Sequence, residues 1–135
     1  MNATIARLAE GMNSHDAAAL TELFAPHYRS EQPVHPNRGF GGRDQVEANW
    51  TQMFAGVPDM TVECLADIDD GATVWSEWVW RGTHTDGSPF EMRGVTLFGI
   101  TDDGLIESAR LYMEPVERDG AGIEDAVQEL ARPSS

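Results

Sequence analysis

A guanidinium, a phenol and a carboxylate occupy alternate positions in the stretch from Gly104 to Val116, as Arg110, Tyr112 and Glu114. Successive side chains of a strand point to opposite faces, so these three share a face with Ile106 and Ser108, and Leu105, Ala109, Leu111 and Met113 take the other. The polar row is the expected catalytic set: an anchor, a hydrogen-bond donor and an acid/base group, enough for proton transfer without a cofactor. Glu114 in an apolar pocket would have its charged form destabilised and its pKa raised toward a useful range. Arg110 would hold an enolate-like oxygen or neutralise Glu114, and Tyr112 would donate one hydrogen bond or simply pack. The plain reading of the same row is a solvated outer face with Arg110 and Glu114 paired across Tyr112.

Aromatic side chains supply the candidate walls. In the run from Val74 to Trp80, Trp78 and Trp80 share one face and Trp75 takes the other, with Trp50 on an earlier helix and Phe98 on the next strand. If the Trp78 and Trp80 face is also that of Arg110 and Glu114, the pocket is broad and suits a flat apolar ligand such as a polycyclic ketone. The alternative is a filled core or a dimer seam. His84, closing the central strand, and His35, in a long loop, are placed to reach a pocket mouth and exchange protons near neutral pH, or to be surface histidines. With His15 and His27 they form no HxxxH, HxH or HExxH spacing, and Cys64 is the single cysteine, so no metal site is expected. No P-loop, G-x-G-x-x-G or G-x-S-x-G motif occurs, so neither nucleotide binding nor covalent serine chemistry is expected.

The elements that must position these groups change period midway. Ile5, Leu8, Ala9 and Met12 recur at helical spacing, and the segment from Asn13 to Asp16 breaks that helix and caps a second one over Asp16 to Phe24. Tyr28 to Gln32 reads as a short strand, and residues 33–42, rich in Pro and Gly, read as a loop that serves a site. A third helix runs from about Arg43 to Phe54 on Val46, Trp50, Met53 and Phe54. Four strands follow, Met60 to Asp67, Thr73 to Thr85, Phe90 to Thr101 and Leu105 to Val116, joined by Asp-Gly turns that signal an antiparallel meander. Ile123 to Ala131 forms a last short helix with Ile123, Val127 and Leu130 on one side. Helices first and strands after is an α+β order.

At 135 residues the chain fits one domain with a core and a modest cavity. Its net charge of −14 repels phosphate backbones and anionic membranes, so neither nucleic acid nor a membrane is an expected partner. The residues from Met1 to Arg7 lack a basic region followed by an apolar run, and the lone cysteine suits a reducing compartment. The expected location is cytoplasmic.

This order of elements resembles the nuclear-transport-factor-2-like fold, in its SnoaL-like branch. Asn13-Ser14-His15-Asp16 through Leu23-Phe24 is similar to the family's second-helix signature, and Gly42-Arg43-Asp44-Gln45 through Trp50 to its third-helix opening. Val57-Pro58-Asp59 resembles that helix's exit, Arg81 to Thr85 the end of a long central strand, and Asp103 to Pro115 the final hairpin and strand. The resemblance implies a curved antiparallel sheet forming a cone-like half barrel, with three N-terminal helices closing a pocket. It divides the chain into a domain over 1–118 and a short helix and tail over 119–135. Relatives include polyketide cyclases, ketosteroid isomerases and limonene-epoxide hydrolases, all cofactor-free. In cyclase-like and hydrolase-like relatives the last strand supplies an aspartate acid/base, and Glu114 holds that position here. The hydrolases also need an Arg-x-Asp pair, and the stretch from Trp78 to Thr83 carries no carboxylate. The implied function is a cofactor-free cyclase or isomerase acting on a small apolar ketone or polyketide-like molecule, the alternative being a non-catalytic binding or scaffold domain. The implied assembly is a homodimer through the outer sheet face.

Overall fold

Asn2 opens the first helix by accepting hydrogen bonds at its side-chain oxygen from the backbone of Thr4 and Ile5, at 2.9 and 3.2 Å. Two of the N–H groups that a helix start leaves orphaned are thereby satisfied. The computed structural model describes residues 1–134. Its order is α1 (Ala3–Ser14), α2 (Ala17–Thr21), β1 (Phe24–Glu31), β2 (Phe40–Gly41), α3 (Arg43–Gly56), β3 (Thr61–Asp69), β4 (Val74–Thr83), β5 (Pro89–Ile100), β6 (Ile106–Pro115) and α4 (Ile123–Ala131). A single 3-10 turn, Pro36–Arg38, lies between β1 and β2.

The α1 to α2 break follows the expected chemistry. His15 takes a left-handed conformation at φ 60°, and the Asp16 carboxylate then caps α2 by accepting from Ala19 N at 3.0 Å. The second helix is shorter than the sequence predicts. It ends at Thr21, because the Leu23 carbonyl accepts from Ile106 N at 2.9 Å and draws the chain into the sheet at Phe24. The first strand is correspondingly longer than the expected Tyr28 to Gln32. Pro26 lies in the interval between Phe24 and Arg29 where pairing with β6 shifts register, so its missing N–H interrupts no regular ladder. Phe40 and Gly41, inside the expected loop, pair with Ser30 and Arg29 as a minimal edge strand.

The sheet runs in the order β2-β1-β6-β5-β4-β3. Strands β3 to β6 form the expected antiparallel meander, whereas β1 lies parallel to β6, so the six-stranded sheet is mixed and open. Register shifts at Cys64/Ala66 and at Gly99/Ile100 bend it. The α+β class, with helices over the concave side, agrees with the sequence reading.

Side-chain hydrogen bonds fix the helical layer to this sheet. Asn13 accepts from Val62 N at 2.8 Å and donates to Val62 O at 3.0 Å, acting as a neighbour strand for the edge of β3. Arg43, at the start of α3, donates from Nε to Phe24 O at 2.7 Å. Ile5, Leu8, Met12, Leu20, Val46 and Met60 then bury against the sheet. The last helix, α4, turns Ile123, Val127 and Leu130 to solvent.

Candidate functional site

Between the concave sheet face and helices α1 and α3 lies a cavity of about 360 Å³. Cross-strand register dictates which residues form its floor, since residues directly opposite share a face. Trp80 stands opposite Met92, Trp78 opposite Gly94 and through it Met113, Ser76 opposite Thr96 and Leu111, and Val74 opposite Phe98 and Ala109. Leu8 and Met12 of α1, Val46, Trp50 and Met53 of α3, and Phe24, Tyr28 and Phe40 close the remaining walls. Of the residues singled out as ligand-contacting, Trp50, Trp78, Trp80 and Phe98 line this cavity. Trp50 meets Trp80 edge to face, with ring centroids 5.5 Å apart.

The polar row of β6 does not reach it. Arg110 stands opposite Leu97, Tyr112 opposite Val95 and Glu114 opposite Arg93, all on the convex face that also carries Trp75. The expectation that Glu114, Arg110 and Tyr112 line the pocket is therefore corrected, and the odd-numbered row of Ala109, Leu111 and Met113 faces inward in its place. The cause is burial of the apolar row: with a side-chain period of 2, placing Leu111 and Met113 in the core sends their neighbours outward. Tyr112 is 41% exposed, and the Glu114 side chain is 50% exposed.

The two predicted histidines also lie outside the cavity lining. His35 Nε2 pairs with Glu114 Oε1 at 3.0 Å beside the rim. His84 packs edge-on against Phe90 at 5.5 Å and lines a second cleft of about 330 Å³ with Glu91, Met92 and Arg118. In that region Arg81, Arg93 and Arg118 converge on Glu91, and the hydrogen bonds from Arg118 and Arg93 hold its carboxyl below the usual carboxylate range.

Polar groups that the sequence reading passed over carry the chemistry of the cavity. Tyr28 and Ser30 project inward from β1, and Thr96 from β5. Tyr28 is 4% exposed, and burial pushes its phenol up to about 12 against a smaller opposing effect of the Ser30 hydroxyl, so it keeps its proton throughout the neutral range. It is a donor there, not a base. Gln32, Arg38, Asn49 and Gln52 add polar groups to the lining. Among the described residues, no Asp, Glu or His lines the cavity, and no group of three His, Cys, Asp or Glu is arranged to hold a metal ion.

The two indoles differ in a telling way. Trp78 Nε1 donates to Ser76 Oγ at 2.8 Å, and that hydroxyl in turn donates to Thr96 O at 2.8 Å, a closed buried chain. Trp80 Nε1 has no hydrogen-bond partner among the described residues. A buried donor left unpaired is costly, and one in a cavity wall is the kind of group a ligand oxygen can satisfy after a small shift.

Tyr28 and Ser30 alternate with exposed Arg29 and Glu31 inside the expected short strand, and that alternation was the signal for their inward face. The signal for Leu111 and Met113 was their own hydrophobicity.

Comparison with known proteins agrees with this geometry. The family model of the SnoaL-like domain matches residues 5–109. The fold is similar to that of SalBIII, an epoxide hydrolase/cyclase-like enzyme of pyran-ring formation in the polyether salinomycin, with 21% identity, TM-score 0.72, and coverage of 82% of this chain and 88% of that one. It is similar to IdmH of Streptomyces antibioticus, a proposed polyketide cyclase, at 28% identity and TM-score 0.71 over 82% of this chain and 89% of the other. A Mycobacterium tuberculosis protein in complex with estradiol-17β-hemisuccinate matches at 21% identity and TM-score 0.70, over 81% and 89% of the two chains. No curated protein matches the sequence significantly. No helix among the described residues is long and apolar enough to cross a membrane.

Proposed function

Because the chain belongs to the SnoaL-like family, whose model it matches over residues 5–109, we propose that it is a cyclase- or isomerase-type protein acting on an apolar, ring-forming, polyketide-like molecule. The observation that carries this reading is the aromatic cavity of about 360 Å³ with a neutral phenol, Tyr28, in its wall. That volume lies within the ordinary range of small-molecule sites. The work is done by enclosure and hydrogen bonding: the walls exclude water and hold the chain folded, and Tyr28 donates to a ligand carbonyl whose oxygen gains charge as bonds rearrange. Glu114 takes no part in this scheme, since its side chain is on the convex face. No cofactor enters it.

The test is a thermal-shift screen of cyclic ketones and polyketide-like aromatics against the parent and Leu111→Trp, which fills the cavity from β6. A cavity ligand raises the melting temperature of the parent by mass action and leaves the variant unmoved. Equal shifts in both sink the assignment of the site.

A second reading, a binding protein that turns nothing over, is favoured by the lack of carboxylate or imidazole in the described cavity lining. Tyr28→Phe separates the two. In the cyclase reading it lowers turnover of a bound ligand at least tenfold while affinity holds; in the binding reading only affinity responds.

The assembly we propose is a homodimer through the convex face. Ile68, Trp75 and Tyr112 are 70%, 48% and 41% exposed there, an apolar surface that a second copy would cover. Light scattering at micromolar concentration should give twice the chain mass, and Trp75→Glu should halve it.

A further inference from the structure

Resting on the reading of the cavity as a ligand site, we infer that the ligand carries a carboxylate and that Arg38, at the cavity rim, selects it. The charge balance of the lining points this way. The chain has 23 acidic residues against nine arginines and no lysine, yet no acidic side chain lines the cavity among the described residues, and Arg38 does. A field of that sign repels an anion at long range, so a carboxylate ligand needs a local cation to hold it.

The bonding of Arg38 leaves that role open. Its Nη1 donates to Gln32 Oε1 at 3.1 Å, a neutral acceptor, and among the described residues no carboxylate lies within ion-pair distance of it. Arg81, Arg93, Arg118 and Arg132 each sit against a glutamate instead. A guanidinium has five donors and no acceptor, so Gln32 offers its oxygen to Arg38, and among the described residues no acceptor meets the Gln32 amide N–H groups. The rim thus presents a guanidinium and an adjacent amide, both with donors to spare, a set that fits the two oxygens of a carboxylate.

The backbone fixes this set in place. Arg38 closes the turn Pro36–Arg38, its own N–H donating to His35 O at 2.9 Å, and the His35 ring is held by Glu114. Apart from Arg38, the hydrogen-bonding side chains of the lining are hydroxyls, carboxamides and indoles, and none of them is charged. The ligand is therefore read as an apolar ring body inside with an anionic tail at the mouth.

Binding of 1-pyrenebutyrate and of its methyl ester, followed by energy transfer from the tryptophans, tests this directly. The parent should bind the acid about tenfold tighter than the ester, the size of one good charge-assisted contact. Arg38→Gln should abolish that preference, and Arg132→Gln, which alters net charge equally at the C-cap of α4, should retain it. A parent that binds acid and ester alike, or an Arg38→Gln variant that keeps the preference, overturns the assignment of Arg38 while the cavity reading stands. Failure of both probes to bind saturably overturns the cavity reading and the Arg38 inference with it.

Discussion

His35 Nε2 lies 3.0 Å from Glu114 Oε1 because β1 runs parallel to β6. Glu31 stands opposite Arg110, and four residues further along both chains His35 meets Glu114. The pair ties the loop that carries Arg38 to the end of β6, on the solvent side of the rim. Both groups were expected at a ligand site, and they do meet, but away from the cavity lining.

Glu114→Gln should accordingly leave the affinity of any cavity ligand within about twofold of the parent. The pair is solvent-screened, with 34% and 50% of the two side chains exposed, so the stability change should stay below about 1 kcal/mol. Isothermal titration with a ligand found in the thermal-shift screen checks the first statement and urea unfolding the second. A hundredfold loss of affinity would return the carboxylate to the site.

Much of the architecture was legible in the chain. The cap of α2 at Asp16, the Asp-Gly turns and the apolar stripe of α3 each act through residues a few positions apart, and local physics decides them. The parallel pairing of β1 with β6 joins residues some 80 positions apart, as the His27 to Glu107 contact does, and no short-range pattern encodes it. The facing of β6 was legible and was read from the wrong row: Arg110, Tyr112 and Glu114 suggest chemistry, but Ala109, Leu111 and Met113 hold the greater burial energy and decide the orientation. Of the site, the tryptophans were found because large aromatic side chains declare themselves. Tyr28 was not: its strand was read, but which of its faces turns to the cavity is set by the long-range pairing with β6.

Tyr28 gives a pH dependence with a definite sign. Its phenol titrates near 10.0 when unfolded and is pushed up to about 12 by burial, so the folded state holds a proton that the unfolded state has already released. Its stabilising contribution is complete below pH 10 and is lost as pH climbs toward 12, at most roughly 2–3 kcal/mol. The chain has no lysine to obscure this window. In a Tyr112→Phe background, the tyrosinate absorbance near 295 nm should rise with a midpoint close to 12. Urea unfolding at pH 9 and pH 11 should show the loss, and adding Tyr28→Phe should remove it. A midpoint near 10 would mean that the phenol is not buried.

Gly94 stands opposite Trp78 of β4 on one side and Met113 of β6 on the other. A methyl group there would overlap the carbonyl of Tyr112, which is backbone and cannot swing aside. Gly94→Ala should therefore force β5 and β6 apart and cost more than about 2 kcal/mol, well above the usual surface substitution. Gly122→Ala, with open space around the added carbon, is the matched control and should change the unfolding midpoint little. Similar midpoints for the two variants would disprove the close approach.

Ser76 is buried beneath the cavity floor, where its hydroxyl accepts from Trp78 Nε1 and donates to Thr96 O, each at 2.8 Å. Ser76→Ala deletes both bonds at once and leaves a buried indole donor with nothing to bond. The expected cost is about 1–3 kcal/mol, dominated by the unsatisfied indole. Because the Trp78 ring is 2% exposed and forms part of the cavity wall, loss of its tether should also loosen the wall, seen as a red shift and broadening of tryptophan emission. Trp78→Phe in the Ser76→Ala background removes the orphaned donor, so the double variant should be destabilised by less than the sum of the two single changes. Additive losses would show that the hydroxyl and the indole are not coupled.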